Sequence, residues 1–378
     1  MSQSLAQNST EVLPPLYARW VDELLRQPLP LETLSPCNDC VMCKPPSVVP
    51  RPESRGQFNP VTKCCTYMPT IPNYLIGAVL VDDDPAALEG RLTLEKRLDA
   101  GVGVGPRGAT MTPVYRLLYQ HGEKKAFGQA ASMRCPHYLD REGGQCGIWR
   151  HRNSVCSTYF CTLERGLVGQ RFWIEMKTFL ESVEMALSEW CARELDIGAD
   201  ALTRLRAPHD PDEFVQLTAY DLDGIADPHE QRALWGTWYG REREFYIAAG
   251  RMVAGLSWEE VLRLGGAEVT AHAQLLGSAY AALISDEVPD LLVMAAFESA
   301  QLNADVSRIW AIDGTVQPIE VPTSLVAALR HFDGKTSTQD VIFTIVFETR
   351  MGLQKWLVRR LMDAGILFAA PSLGASQA

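Results

Sequence analysis

Nine of the ten cysteines of this chain stand in its first 161 residues, and only Cys191 lies beyond them. Core packing spreads small apolar side chains along a sequence, so a bias of this size points to thiols that act together. Cys37, Cys40 and Cys43 form a C-x2-C-x2-C run, Cys64 and Cys65 a doublet, and Cys135, Cys146, Cys156 and Cys161 a looser set. Three thiolates at the first spacing fold toward one point. Their fourth ligand is commonly remote and followed by proline, and Cys135-Pro136 has that form. Adjacent thiols such as Cys64 and Cys65 point apart on an extended backbone, which suits two metals, or one metal and one structural role.

The compartment matters, because the same thiols would pair as disulfides in an oxidising one. The amino end has neither a basic start nor an apolar stretch of the secretory kind. No run approaches the ~18 apolar residues of a spanning helix. The expectation is a cytoplasmic protein without a membrane segment, in which clustered thiols are metal ligands. A formal net charge of −11 argues against non-specific nucleic-acid binding by the whole chain. The segment 121–171 nevertheless carries eight Lys and Arg against four Asp and Glu. Cations beside thiolates favour the metal-binding form and offset the charge of a cluster, and they could equally hold an anionic substrate.

The pattern divides the chain into a tail and helix over 1–35, a cysteine-cluster metal-binding domain over 36–170, a helical domain over 171–302 and a winged-helix-like domain over 303–378. In the first two parts, 16–25 reads as a packing helix and 44–60, rich in proline, as an irregular loop. The run 74–81 is strand-sized, and 85–99 reads as an exposed charged helix. Gly101, Gly103, Gly105 and Gly108 read as a flexible turn, since no Lys-Ser follows to make a phosphate cradle. Phe172, Met176, Phe179, Val183, Leu187 and Trp190 then share one helical face, with Cys191 beside it as a core thiol. A helix over 229–254 carries Trp235, Trp238, Tyr239, Phe245 and Tyr246, read as core. Ser257 and Glu260 form a capping box for a further helix that ends at Gly265-Gly266, and 269–303 reads as mostly helical.

The last part predicts a hairpin over 307–319 around Asp313-Gly314, helices over 322–332, 337–349 and 351–364, and a strand over 366–369. The fold class is therefore mostly α, with an irregular cysteine-rich metal-cluster domain, a helical middle and a C-terminal winged-helix-like α+β module. The third helix of that module carries Lys355, Arg359 and Arg360 but also Asp363. That basic excess is small, so a protein or peptide partner is favoured over nucleic acid.

A structural zinc site prefers paired C-x2-C knuckles, whereas iron–sulfur clusters tolerate scattered ligands because each iron takes one outward thiolate. The spacings from Cys135 to Cys146, Cys156 and Cys161 favour iron–sulfur, most readily 4Fe-4S, with zinc as the alternative. Thiol redox chemistry without a metal ranks third. His137 and His151 are read as surface or supporting residues rather than ligands or the base of a nucleophilic cysteine.

Taken together, Cys135-Pro136, Cys146-Gly147-Ile148-Trp149, Arg152-Asn153, Cys156 and Phe160-Cys161 resemble the second half of the YkgJ-type (CxxCxxCC) cysteine-cluster proteins, often described as zinc- or iron-chelating. Trp149 stands where that group typically has Tyr, and Asn153 where it has Pro. An insert separates Cys37, Cys40 and Cys43 from the Cys64-Cys65 doublet, which the family keeps compact. The resemblance covers about 36–165. It implies metal chelation by Cys37, Cys40, Cys43, Cys64, Cys65, Cys135, Cys146, Cys156 and Cys161. Flagellin lysine N-methylases belong to the same broad group, so the resemblance also implies protein lysine N-methylation as an inherited chemistry, although no separate methyl-donor motif stands in this sequence. The leading expectation is a metal-cluster protein for electron transfer or a redox or modification reaction on a protein or peptide partner. A structural-zinc regulatory protein, binding a partner or DNA through the winged-helix-like module, is the alternative.

Overall fold

The computed structural model describes residues 12–29, 39–45, 57–141, 143–206, 216–312 and 317–370, the side chains of 123–125 aside. Cys37, most of the proline-rich loop and the Asp313-Gly314 turn lie outside the described residues. The chain is mostly helical, with four small antiparallel sheets among the described residues, and divides into two compact units.

The first unit comprises 1–43, 57–159 and 174–276. Its elements begin with α1 (Pro15–Leu25), β1 (Ile71–Pro72), α2 (Asn73–Val81), α3 (Leu88–Ala100), β2 (Val104–Gly105), β3 (Gly108–Ala109) and α4 (Pro113–Ala126). They continue with β4 (Tyr138–Leu139), β5 (Gln145–Cys146), α5 (Ser154–Thr158) and most of α6 (Gly166–Glu194). Then come α7 (Ala199–Arg206), α8 (Ala219–Asp223), α9 (Pro228–Trp235), α10 (Glu242–Ala254) and the larger part of α11 (Trp258–Ile284).

The segment expected as a strand over 74–81 is the helix α2. Its side chains are buried on nearly every face, and a short apolar run buried all round carries no period from which to tell helix from strand. It crosses α10 at glycine-width distance: a Cβ on Gly77 would lie 1.9 Å from the Tyr246 carbonyl oxygen. Trp235, Phe245 and Tyr246 are fully buried here, as read from the sequence, whereas Trp238 is half-buried and Tyr239 exposed. The Ser257–Glu260 box also forms, with the Glu260 N–H donating to Ser257 Oγ at 3.3 Å and the Ser257 N–H to Glu260 Oε2 at 2.8 Å. Gly266 (φ 63°) breaks α11 where the helix was expected to end, but the chain resumes helical turns beyond it.

The second unit comprises 44–56, 160–173 and 277–378. Its strands are β6 (Leu291–Met294), β7 (Phe297–Gln301), β8 (Val306–Ala311), β9 (Ile319–Pro322), β10 (Asp333–Ser337) and β11 (Leu367–Ala369). Its helices are α12 (Thr323–Ala328), α13 (Thr338–Thr349) and α14 (Lys355–Asp363). The three helices stand where the sequence puts them; of the expected hairpin, β8 forms as read, but its partner is β9, which begins at Ile319 where the expected strand was to end. The segment 291–301, expected as helix, instead forms β6 and β7. The first of these takes both β10 and β11 as antiparallel partners, in the order β10-β6-β11, while β7, β8 and β9 make the other sheet. The core includes Leu292, Ile309, Leu325, Ile345, Val358, Leu361 and Ile366.

Candidate metal centre

The cysteine-bearing segments of the first unit are irregular, so backbone ties place them. Cys43 N–H donates to the Cys40 carbonyl (3.1 Å), closing a single turn, and Phe58 N–H to the Met42 carbonyl (2.8 Å) fastens that turn to the next segment. The Asn59 carbonyl then accepts from Thr62 N–H (3.1 Å) and Lys63 N–H (2.8 Å). With Lys63 in the left-handed region at φ 53°, this folds the doublet into a bend. The decisive tie is Cys135 N–H to the Cys65 carbonyl at 2.7 Å, which joins the doublet to the later set. The Tyr115 hydroxyl reinforces it from α4, lying 2.7 Å from the Thr66 carbonyl and 3.0 Å from that of Met133. Downstream, Tyr138 pairs with Cys146 across the β4–β5 hairpin, and Asn153 Oδ1 caps α5 by accepting from Cys156 N–H at 3.1 Å.

One face of α3 seats this assembly. Gly90, Thr93, Leu94 and Arg97 recur at helical spacing, and each meets the cysteine-bearing segment or the core beside it. Gly90 lies against Gly147, where an added Cβ would come within 1.7 Å of the Gly147 carbonyl oxygen. Thr93 Oγ1 donates to the Gly90 carbonyl (2.6 Å) and lies 2.9 Å from His137 Nδ1. Because the hydroxyl's one proton is spent on a carbonyl, it accepts from His137, so Nδ1 carries the imidazole proton and Nε2 a bare lone pair. That Nε2 is buried without a partner, and burial with the nearby Arg97 charge pushes His137 down to about 3, keeping it neutral. Leu94 is fully buried and Arg97 nearly so.

The thiols form an electrostatically connected set. Burial, followed by Cys40, pushes Cys43 up to about 12. Cys64 is lowered by the thiol of Cys65, which donates a hydrogen bond to it, and Cys65 is raised for the same reason. Cys135 is pushed up to about 11 by burial, against the opposing pull of the His137 N–H and Arg97. Burial also raises Cys156 well above the ordinary thiol range, with Cys146, Cys135 and Cys64 adding to it. Cys40, Cys43, Cys64, Cys65, Cys135, Cys146 and Cys156 therefore act on one another in one neighbourhood. Cys161 belongs to the second unit. Cys191 is fully buried in α6, where burial pushes it up to about 12, and none of the clustered thiols contributes to that shift.

All cysteines among the described residues are free thiols. No three or more His, Cys, Asp or Glu side chains among those residues close to metal-holding distance of one another. Thiolate is a metal-binding donor, and a bound cation would favour ionisation of thiols that burial otherwise keeps neutral. The surrounding cations point the same way. Lys63, Arg97 and Arg152 are the only buried lysines and arginines among the described residues. Lys63 acts on Cys43 and Cys64, Arg97 on Cys135, and Arg152 on Cys156.

Cys146 also lines a cleft of about 450 Å³, together with Trp149, Arg150 and His151. His151 Nε2 lies 2.7 Å from Asp82 Oδ2, and Arg150 Nη1 donates to Asp84 Oδ2 at 2.9 Å. Burial raises Asp82, but the His151 hydrogen bond and its other partners outweigh it and hold the carboxyl below its usual range.

Sequence reasoning missed Gly90, Thr93 and Arg97. Their spacing was the available signal, but glycine, threonine and arginine do not register as an apolar stripe. No family model matches the chain, and no curated protein or solved structure matches it.

Proposed function

We propose that the thiols of the first unit hold an iron–sulfur centre, most readily 4Fe-4S. It would serve electron transfer or a redox or modification reaction on a protein or peptide partner in the cytoplasm. The observation that carries this reading is that each buried lysine and arginine among the described residues acts electrostatically on a cysteine, Arg97 most tellingly, because burying a cation is costly unless an anion meets it. In a set of neutral thiols Arg97 meets no anion among the described residues, and beside a metal-bound Cys135 thiolate it would meet one. Cys40, Cys43, Cys64, Cys65, Cys135, Cys146 and Cys156 are the candidate ligands from this unit; Cys37 lies outside the described residues and Cys161 in the second unit. An iron–sulfur centre supplies one-electron chemistry at a potential set by its charge surroundings. The chain's own part is to exclude water through Tyr115, Leu94 and Met133 and to leave the cleft beside Cys146 as the approach.

In the winged-helix-like reading of the second unit, the features favour a protein partner. Arg359, on the helix that would read DNA, donates instead to the Glu287 carbonyl (2.8 Å), and its Nε lies 3.4 Å from Asp363. Phe343, Phe347 and Trp356 are exposed on α13 and α14, which suits an apolar contact. The full-length protein is expected to give no salt-dependent shift of a DNA pool, and a shift that weakens steeply with salt would favour the DNA-binding alternative.

The deciding measurement is iron, acid-labile sulfide and zinc content, with the visible spectrum, of protein purified without oxygen. Iron and sulfide in comparable amounts and a broad visible absorption are expected, and Cys135→Ser or Cys156→Ser lowers both. Zinc without sulfide replaces the iron–sulfur reading with a structural-zinc one. Thiols free of any metal after reconstitution end both.

A further inference from the structure

Arg97 is the buried cation whose partners are fully accounted for, and they do not suffice. It sits in the last turn of α3, 7% exposed. One nitrogen, Nη2, donates to the Thr110 carbonyl, while Nε and Nη1 are buried and have no acceptor. No carboxylate pairs with it among the described residues, and the groups that act on its charge are Cys135 and Tyr246. The Tyr246 hydroxyl is committed elsewhere, donating to the Gly105 carbonyl at 2.8 Å. Beside it stands His137, whose protonated Nδ1 is fixed by Thr93 and whose Nε2 lone pair is equally unmet. A guanidinium cannot shed its proton to escape burial. Two open donors and one open acceptor therefore lie near the Cys135 position, and nothing among the described residues closes them.

We propose that Arg97 is the built-in counter-charge of the thiol-bound centre, a positioning residue that draws its anionic ligand shell toward Cys135 and sets how tightly the metal is kept. This rests on the metal reading above. Thiolates around a divalent ion outnumber its charges once three or more gather, so the loaded centre is an anion, and Arg97 meets it from the dry side. In the metal-free protein the same guanidinium faces a neutral thiol and is a liability. The two states thus give Arg97 opposite effects, which an ordinary core residue would not have.

The test uses the full-length protein, its Arg97→Gln variant, which removes the charge, and Arg97→Lys, which keeps it. Each is stripped of metal under anaerobic conditions and titrated with Co²⁺ alone against a competing chelator. Thiolate charge-transfer absorption reports the bound sulfur, and thermal unfolding of the stripped forms is measured alongside. We expect Arg97→Gln to bind at least ~10-fold more weakly, in the range that residues supporting metal ligands reach. Its stripped form should unfold no earlier than wild type, and Arg97→Lys should recover most of the affinity. Binding by Arg97→Gln within twofold of wild type overturns the proposal while leaving the metal centre intact. A stripped Arg97→Gln that unfolds much earlier than stripped wild type also overturns it, because the residue would then be packing the core. Wild-type protein that takes up neither Co²⁺ nor, on anaerobic reconstitution, iron with sulfide removes the centre, and with it this role.

Discussion

Two buried charges in the first unit, Glu184 on α6 and Arg97 on α3, are treated in opposite ways. Glu184 is met on every side: the Tyr17 hydroxyl donates to Oε1, Ser154 N–H donates to the same oxygen at 2.5 Å, and Ser154 Oγ donates to Oε2 at 2.8 Å. These bonds join three distant segments, α1, α5 and α6, just behind Cys156. Arg97 has one acceptor and two orphaned nitrogens. The protein closes the first charge by itself and leaves the second open beside its thiols. A buried polar group left unmet is expensive, so the contrast separates a charge that is part of the fold from one that awaits a partner.

The sharpest way to break the comparison is to remove Glu184. Glu184→Ala strands the Ser154 N–H and hydroxyl and the Tyr17 hydroxyl in the interior and leaves a cavity. A loss of about 3–5 kcal/mol is expected in urea unfolding, with Glu184→Gln costing less than half of it. A loss below ~1 kcal/mol would mean that the network is not closed as described.

Next in size is a pH effect. Burial, opposed by hydrogen bonds from Tyr17 and Ser154 and with Glu181 adding to the rise, pushes Glu184 up to about 7 from an ordinary carboxylate value. The folded state holds this proton more tightly than the unfolded chain does. The stability it contributes is therefore full below the unfolded pKa and is lost as pH rises through about 7. Wild type should lose roughly 2–3 kcal/mol between pH 5 and 8 from this group, and Glu184→Gln should not show that component. An equal slope in both proteins would show that the carboxyl is not the titrating group.

A smaller effect is expected at the seat of the thiol segment. Gly90→Ala drives a methyl group into the Gly147 carbonyl and should cost about 1–3 kcal/mol. It should also weaken metal uptake, because Gly147 follows Cys146 directly. Unchanged uptake would detach α3 from the centre and weaken the case for Arg97.

Smallest is Cys191→Ser, with a loss of about 1 kcal/mol from placing a hydroxyl in the α6 core and no change in metal content. Metal loss in this variant would mean that the buried thiol had been wrongly set apart from the others.

Much of the second unit was legible because its helices carry ordinary signals: Ser337 caps α13 by accepting from the Asp340 N–H at 3.1 Å, and α14 is strongly one-sided. Strands β6 and β7 lie where the sequence reads as a continuation of the helical stretch that ends at Ile284, so their partners in the sheets rather than a local signal make them strands. The α2 segment was misread because burial on all sides erased its period. Around the thiols the sequence named the donors but not their supports. Gly90 works by lacking a side chain, Thr93 by spending its proton on a carbonyl, and Arg97 by having nowhere to put its charge. None of these leaves an apolar pattern.

By itself the sequence determined that this chain gathers thiols in its first half and folds mostly as helix, since cysteine count, spacing and capping are local facts. Only the tertiary structure decided which charges stand behind those thiols. Whether a buried ion is met depends on groups from Tyr17 to Glu184, or from Arg97 to Cys135, and such distances in sequence become contacts only when the chain is folded.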